Sequence, residues 1–322
     1  MKKKDYLYAV ASVRAMENSL LKSSDMEQLI NAPDYEKAVM ILSEKGYETP
    51  VGSDYSAVLD KELEKTWDLV RTSAPEASSL RLFIVKNDFQ NLKAILKSEV
   101  MEYRAEDYFV RPSVTDPKEL LSAVSERDFD RLPDYLSAAA KEAFEVLTKT
   151  GSGQLCDAMI DTAALETIIR FANESEDPLL KEYAQTLVFV SDIKTAYRAV
   201  KTKKNAAFVK AAIAENDRVN RDSLIAAVLG GEDEFSEYLS SNGMVPYKEA
   251  LEESGSAFEK YCDDQLLSIM KKAKMTAFGV SPIAAYFTAK ETEIKCLRII
   301  LSAKLSAVSN EIIRERMREL YV

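Results

Sequence analysis

Histidine does not occur anywhere in this chain of 322 residues. Its absence removes His-based catalytic triads, His general bases and His metal ligands together. Cysteine is nearly as scarce: three residues cannot build a four-thiolate zinc site, and no CxxC pair occurs. Only 9 Gly and 9 Pro interrupt the chain, which disfavours sheets joined by many tight turns. No apolar run approaches the roughly 18 residues of a transmembrane helix. The start, MKKKDYLYAVASVRAMENSLL, alternates apolar and charged positions and lacks the unbroken apolar core of a signal peptide. The expectation is a protein made and kept in the cytoplasm. The phosphate-cradling pattern GxxxxGK[ST] is missing, and Gly151-Ser-Gly153 lacks the third glycine of a dinucleotide fingerprint and reads as a joint between helices. Neither a catalytic group, a cofactor site nor a metal site is expected.

What remains is rich in Leu, Ala, Glu and Lys, good helix formers, so the fold class expected is all-α. A formal charge of −10 argues against binding nucleic acid, which depends on neutralising phosphates. Residues 1–75 carry 10 basic and 13 acidic groups and residues 282–322 carry 7 and 5, so the excess of acid sits in 76–281. A solvated acidic surface accounts for it, as does a flank that orients docking onto a basic partner.

Three prolines, Pro75, Pro178 and Pro282, each precede a long amphipathic segment, at separations of 103 and 104 residues. Proline suits the first helical position, where its missing N–H has no partner to lose. Behind each lies the same apolar stripe: Phe89, Leu92, Leu96; Ile193, Ala196, Val200; Ile294, Leu297, Leu301. Steps of three and four place each set on one helix face. An acidic residue stands just before each stripe, at Asp88, Asp192 and Glu293, and a phrase recurs between the helices as LINA (29–32), LLSA (120–123) and LIAA (224–227). Two readings of the acids stay open. They form a charged rim beside the stripes, paired with Lys93, Arg198 or Arg298, or they are pseudo-equivalent partner contacts facing a common axis.

The pattern divides the chain into three pseudo-repeated helical-bundle units: 1–74, 75–177 and 178–281. The final helix pair, 282–322, closes onto the first unit. The body expected is a funnel or ring with pseudo-threefold symmetry, monomeric when isolated. Helices are predicted over 5–24, from 25 to the LINA phrase, and over 35–45 with Asp34 as cap and Gly46 as stop. A loop follows at 49–54, then helices over 55–73 (with Trp67) and 76–98. Later ones are predicted over 118–126, 131–149, 154–174, 178–202, 205–215, 221–229, 232–240, 246–253, 255–275, 282–304 and 309–320. Cys156 and Cys262, each before an aspartate, read as equivalent small buried positions of the repeat. Asp263-Asp264 points to two helix faces, which suits an acidic surface better than a Mg²⁺ pair. Lys201, Lys203 and Lys204 end a helix, where they favour its dipole or touch anionic lipid headgroups.

The C-terminal residues Ala289-Lys-Glu291, Glu293-Ile-Lys295, Leu297 to Leu301, Lys304 and Glu311 to Val322 closely resemble the closing signature of one family: the C subunit of prokaryotic V-type (A/V-type) ATPases, the counterpart of the d subunit of vacuolar ATPases. YLYAVASVRAMENSLL at 6–21 resembles that family's opening, and KNDFQNLKAILKS at 86–98 its DFxNLK phrase, carried by Asp88, Phe89, Asn91, Leu92 and Lys93. Thr195-Ala196-Tyr197 departs from the pattern, where the family more often has Asn, an aliphatic and a basic residue. The resemblance spans effectively the whole chain. It implies a non-catalytic central-stalk protein on the cytoplasmic face of the membrane, shaped as a funnel and peripheral through its complex. Its implied partners are the central-shaft subunits D and F and the membrane rotor ring (c/K subunits), in a machine that moves H⁺ or Na⁺. The residues alone leave open a cytosolic helical-repeat scaffold that binds peptide segments of partners.

Overall fold

A computed structural model of the chain describes residues 2–49 and 54–322. Among the described residues the regular elements are all helical. The N-terminal segment holds α1 (Lys2–Glu17), α2 (Ser23–Ile30), α3 (Tyr35–Glu44) and α4 (Tyr55–Ser73). Next come α5 (Arg81–Ser98), α6 (Pro117–Ser125), α7 (Asp134–Thr150), α8 (Gly153–Glu174), α9 (Pro178–Lys201), α10 (Ala206–Ala212), α11 (Arg221–Gly230) and α12 (Glu232–Ser241). The chain closes with α13 (Val245–Glu253), α14 (Gly255–Lys271), α15 (Ser281–Leu305) and α16 (Asn310–Arg316). It divides into two compact units, one of Met1–Ala77 with Pro246–Val322, the other of Ser78–Val245.

Local chemistry sets most boundaries. Asp34 accepts the Lys37 N–H and caps α3, and Gly46, at φ +97°, turns the chain out of it. Asp177 accepts from the Leu179 and Leu180 N–H groups, with Pro178 in the first turn of α9. Pro282 holds the same place in α15. Pro75 does not: it lies in a turn, and a 3₁₀ segment, Ala77–Leu80, leads into α5. The helix predicted over 5–24 is broken at 18–22, where the Asn18 and Ser19 side chains bond back to the Ala15 and Met16 carbonyls. The predicted 309–320 helix ends at Arg316, and residues 317–322 form no regular helix. Of the loop predicted at 49–54, residues 50–53 lie outside the described residues.

All nine stripe residues are buried, none more than 7% exposed. In the unit that joins both chain ends, Ile294, Leu297, Ile300 and Leu301 of α15 pack with Leu29, Ile30, Leu42 and Leu59 from α2, α3 and α4. Each fully buried Leu contributes roughly 1.5–3 kcal/mol. Trp67 of α4 meets Phe287 of α15 edge-on, with ring centroids 5.5 Å apart. In the other unit α5 packs chiefly on α8, which also packs on α7, α9 and α10. Helices α9 and α15 end alike: Lys203 and Ala307 take left-handed φ of 50° and 49°, and the next N–H groups, of Lys204 and Val308, reach back to the carbonyls of Ala199 and Ala303.

Candidate functional site: buried carboxylate anchors and C-terminal ties

Asp88, Asp192 and Glu293 sit in the middle of α5, α9 and α15, and each is at most 1% exposed. A surface rim or a partner-facing position is therefore not where the structure places them. They turn inward because their helices bury the adjoining stripe. A buried carboxylate must then find donors. Each takes at least one backbone N–H from a segment that leads into a short helix: α6 for Asp88, α11 for Asp192 and α2 for Glu293. Asp88 accepts the N–H groups of Val114 and Thr115, both at 2.8 Å, and the Tyr135 hydroxyl at 2.6 Å. Asp192 accepts the Ala214 N–H at 3.0 Å and the Asn216 side-chain amide at 2.8 Å. Glu293 accepts the Leu21 N–H at 2.5 Å through one oxygen, and through the other the Tyr47 hydroxyl and Lys290 Nζ at 2.5 and 2.7 Å. The helices that follow these anchored segments, α6, α11 and α2, carry the LLSA, LIAA and LINA phrases, whose leading Leu120, Leu224 and Leu29 are all buried.

Electrostatics separates the three. Burial pushes the Asp192 carboxyl up to about 7, opposed by the Ala214 and Asn216 donors. Burial also raises Asp88, opposed first by Tyr135 and then by the two backbone donors. Burial and the neighbouring carboxylates raise the hydroxyls of Tyr135 and Tyr47, keeping both as donors.

The basic residues beside the anchors have other work. Lys93 of α5 pairs with Asp161 of α8. Five residues past Glu293, as Lys93 is five past Asp88, Arg298 of α15 pairs with Asp60 of α4 and donates to the Ser56 hydroxyl at 2.8 Å. Asn91 completes the DFxNLK phrase by donating to the Val110 carbonyl and accepting the Val110 N–H, at 3.0 and 2.7 Å. Of the helix-end lysines, Lys201 pairs with Glu232 and Lys204 donates to Gln154, at 2.6 Å each.

The C-terminal signature acts as a set of ties within its own unit. Arg314 binds Glu27 of α2 and Asn31 just past its end, at 3.0 and 2.8 Å. Arg318, 8% exposed, meets Asp263 of α14 at 2.8 Å. Asp264 accepts the Glu319 N–H at 2.8 Å, and Lys274 donates to the Tyr321 carbonyl at 2.5 Å. The Asp263-Asp264 pair is thus engaged by the tail. Among the described residues no three His, Cys, Asp or Glu side chains are grouped to hold a metal ion. Cys156, Cys262 and Cys296 are buried thiols outside any disulfide, and burial pushes Cys156 and Cys296 up to about 11. They pack as small apolar groups.

In comparison with known families, the one described as ATP synthase (C/AC39) subunit matches residues 9–316. The chain belongs to that family. Among its relatives, the C subunit of the V-type sodium ATPase of Enterococcus hirae is 25% identical over 320 residues, covering 96% of this chain and 97% of that protein. The C subunit of the A-type ATP synthase of Methanobrevibacter smithii is 26% identical, covering 94% and 85%. Its counterpart in the V-type ATP synthase of Thermus thermophilus is 24% identical, covering 92% and 93%. No helix among the described residues is long and apolar enough to cross a membrane.

Periodicity brings out the three acids but not their donors. Tyr135 and Tyr47 lie 47 and 246 residues from the carboxylates they serve, and no local pattern links them. Lys290, three residues before Glu293, is the one donor that helical spacing could supply.

Proposed function

We propose that this chain is the non-catalytic central-stalk coupling subunit of a rotary V-type ATPase or ATP synthase. In this reading it sits on the cytoplasmic face of the membrane, bound to the rotor ring (c/K subunits), and receives the lower end of the shaft of subunits D and F. Rotation driven in the soluble head passes through it to the ring, which moves H⁺ or Na⁺, and in synthesis the torque runs the other way. The observation that carries the proposal is the family match over nearly the whole chain, with relatives of matching length named as C subunits of A-type and V-type ATPases and ATP synthases.

The repeated internal anchors support a coupler built as three pseudo-equivalent units, 1–74 with 282–322, 75–177 and 178–281. One buried acid per unit holds the backbone that opens the next helical layer. Two of the units also share a basic residue that crosslinks the long helix to a companion, α5 to α8 and α15 to α4. The three acids would then serve a partner interface from inside, by fixing the segments around it. A part that carries torque needs such stiffness, and no bond-making chemistry.

Purification from native membranes through a tag on this chain tests the proposal. Shaft and ring proteins should travel with it in fixed proportion. Recovery of a lone monomer, or of unrelated cytosolic proteins, from membranes that retain an intact ATPase contradicts it.

A further inference from the structure

A groove of about 890 Å³ runs between α13, α14 and α16. Its floor is apolar: Pro246 and Ala250 from α13, Ala257 and Tyr261 from α14, and Ile312 of α16, a large side chain left 41% exposed. Positions 250 and 257 hold only alanine, so the groove stays wide enough for another backbone to approach. Its rim is charged. Glu249, Glu253 and Glu315 are exposed and have no ion pair among the described residues, whereas Glu252 pairs with Lys248 and Asp263 with Lys295 and Arg318. Lys260 and Arg316 are the two cations on the rim, and with Asp264 the balance is acidic.

An acidic surface that only kept the protein soluble would not need an apolar floor. A small-ligand pocket would bring a few buried polar groups together in an enclosed cleft. An apolar trough flanked by uncommitted charges is the form that takes an amphipathic helix. We infer that this groove docks an amphipathic helix of a partner protein whose flanks carry net positive charge. The apolar stripe of that helix would lie on Ala250, Ala257 and Ile312, with Lys or Arg opposite Glu249, Glu253 and Glu315. A single acid opposite Lys260 or Arg316 would set its direction, since such charge pairs fix register more than affinity. The inference stands independently of the coupling role.

Two experiments on the full-length chain test it. In the first, a helical Lys/Leu probe peptide and its Glu/Leu counterpart are titrated by fluorescence. The Lys/Leu peptide should bind preferentially and weaken with salt. Ala257→Trp, which fills the trough, and the triple variant Glu249→Lys, Glu253→Lys, Glu315→Lys should each weaken it at least tenfold. The triple variant lies on exposed positions, so it keeps the test valid if the Trp variant fails to fold. In the second, a photo-crosslinking residue replaces Ile312 in the chain as it occurs in its native assembly, and the captured peptide is sequenced. A basic amphipathic segment is expected. Equal binding of both peptides, or indifference to the triple variant, overturns the inference. So does capture of lipid, of a second copy of this chain or of an acidic segment. A basic helix captured from a protein outside any rotary ATPase would overturn the coupling role and leave the groove standing.

Discussion

At the scale of single residues, the three carboxylates hold positions that cost free energy unless fully bonded. They are not equally provided for. Asp88 and Glu293 each have three donors including a tyrosine hydroxyl, while Asp192 has two. With its carboxyl pushed up to about 7, Asp192 in the folded protein keeps a proton that the unfolded chain releases near its ordinary value of about 3.9. Across that window the native state binds the extra proton, so the stability this group contributes is full below pH 4 and is lost as pH rises through 7. Asp192→Asn cannot titrate, and its amide would face the Asn216 amide. We therefore expect the variant to be less stable by about 1–3 kcal/mol at low pH, with the gap narrowing as pH rises. Urea unfolding of both proteins from pH 4 to 8 measures this, and a gap that stays constant contradicts it.

At the scale of elements, α15 is the member on which the N-terminal helices assemble. Leu297 is fully buried in the cluster that includes Leu29, Leu42 and Leu59. Leu297→Asp places an unpaired charge there and should cost several kcal/mol, about 3 or more. Amide exchange should then quicken across α2, α3 and α4, while α5 to α8 of the other unit stay protected. Uniform loss of protection, or none in the N-terminal helices, contradicts this dependence. Much of this layer is legible in the sequence. Helix 55–73 has the predicted bounds, Asp34 and Gly46 punctuate α3, and the three stripes are core, because caps and periodicity are local signals. What is not legible depends on distant partners. An acid one residue before an apolar stripe looks the same on a rim or in a core, and only backbone donors 22 to 27 residues further on decide for Asp88 and Asp192. By propensity the tail from 317 onward reads as helix. Arg318 and Tyr321 instead reach buried places against α14 and its neighbouring turn, and those contacts outweigh a further helical turn.

At the scale of the whole molecule, the chain's two ends build one compact unit, so neither end is dispensable to the other. Arg314 on Glu27, Lys304 on the Ala32 carbonyl and Arg14 on the Ala273 carbonyl each bridge more than 250 residues of sequence. Such closure suits the load-carrying role proposed above. The most direct test of that role reconstitutes the complete ATPase in vesicles with and without this chain and follows ATP hydrolysis and ion uptake together. The account predicts that without the chain hydrolysis by the soluble head continues while ATP-driven ion transport stops, and that adding the purified chain back restores it. Ion transport that persists at full rate without the chain would contradict the account.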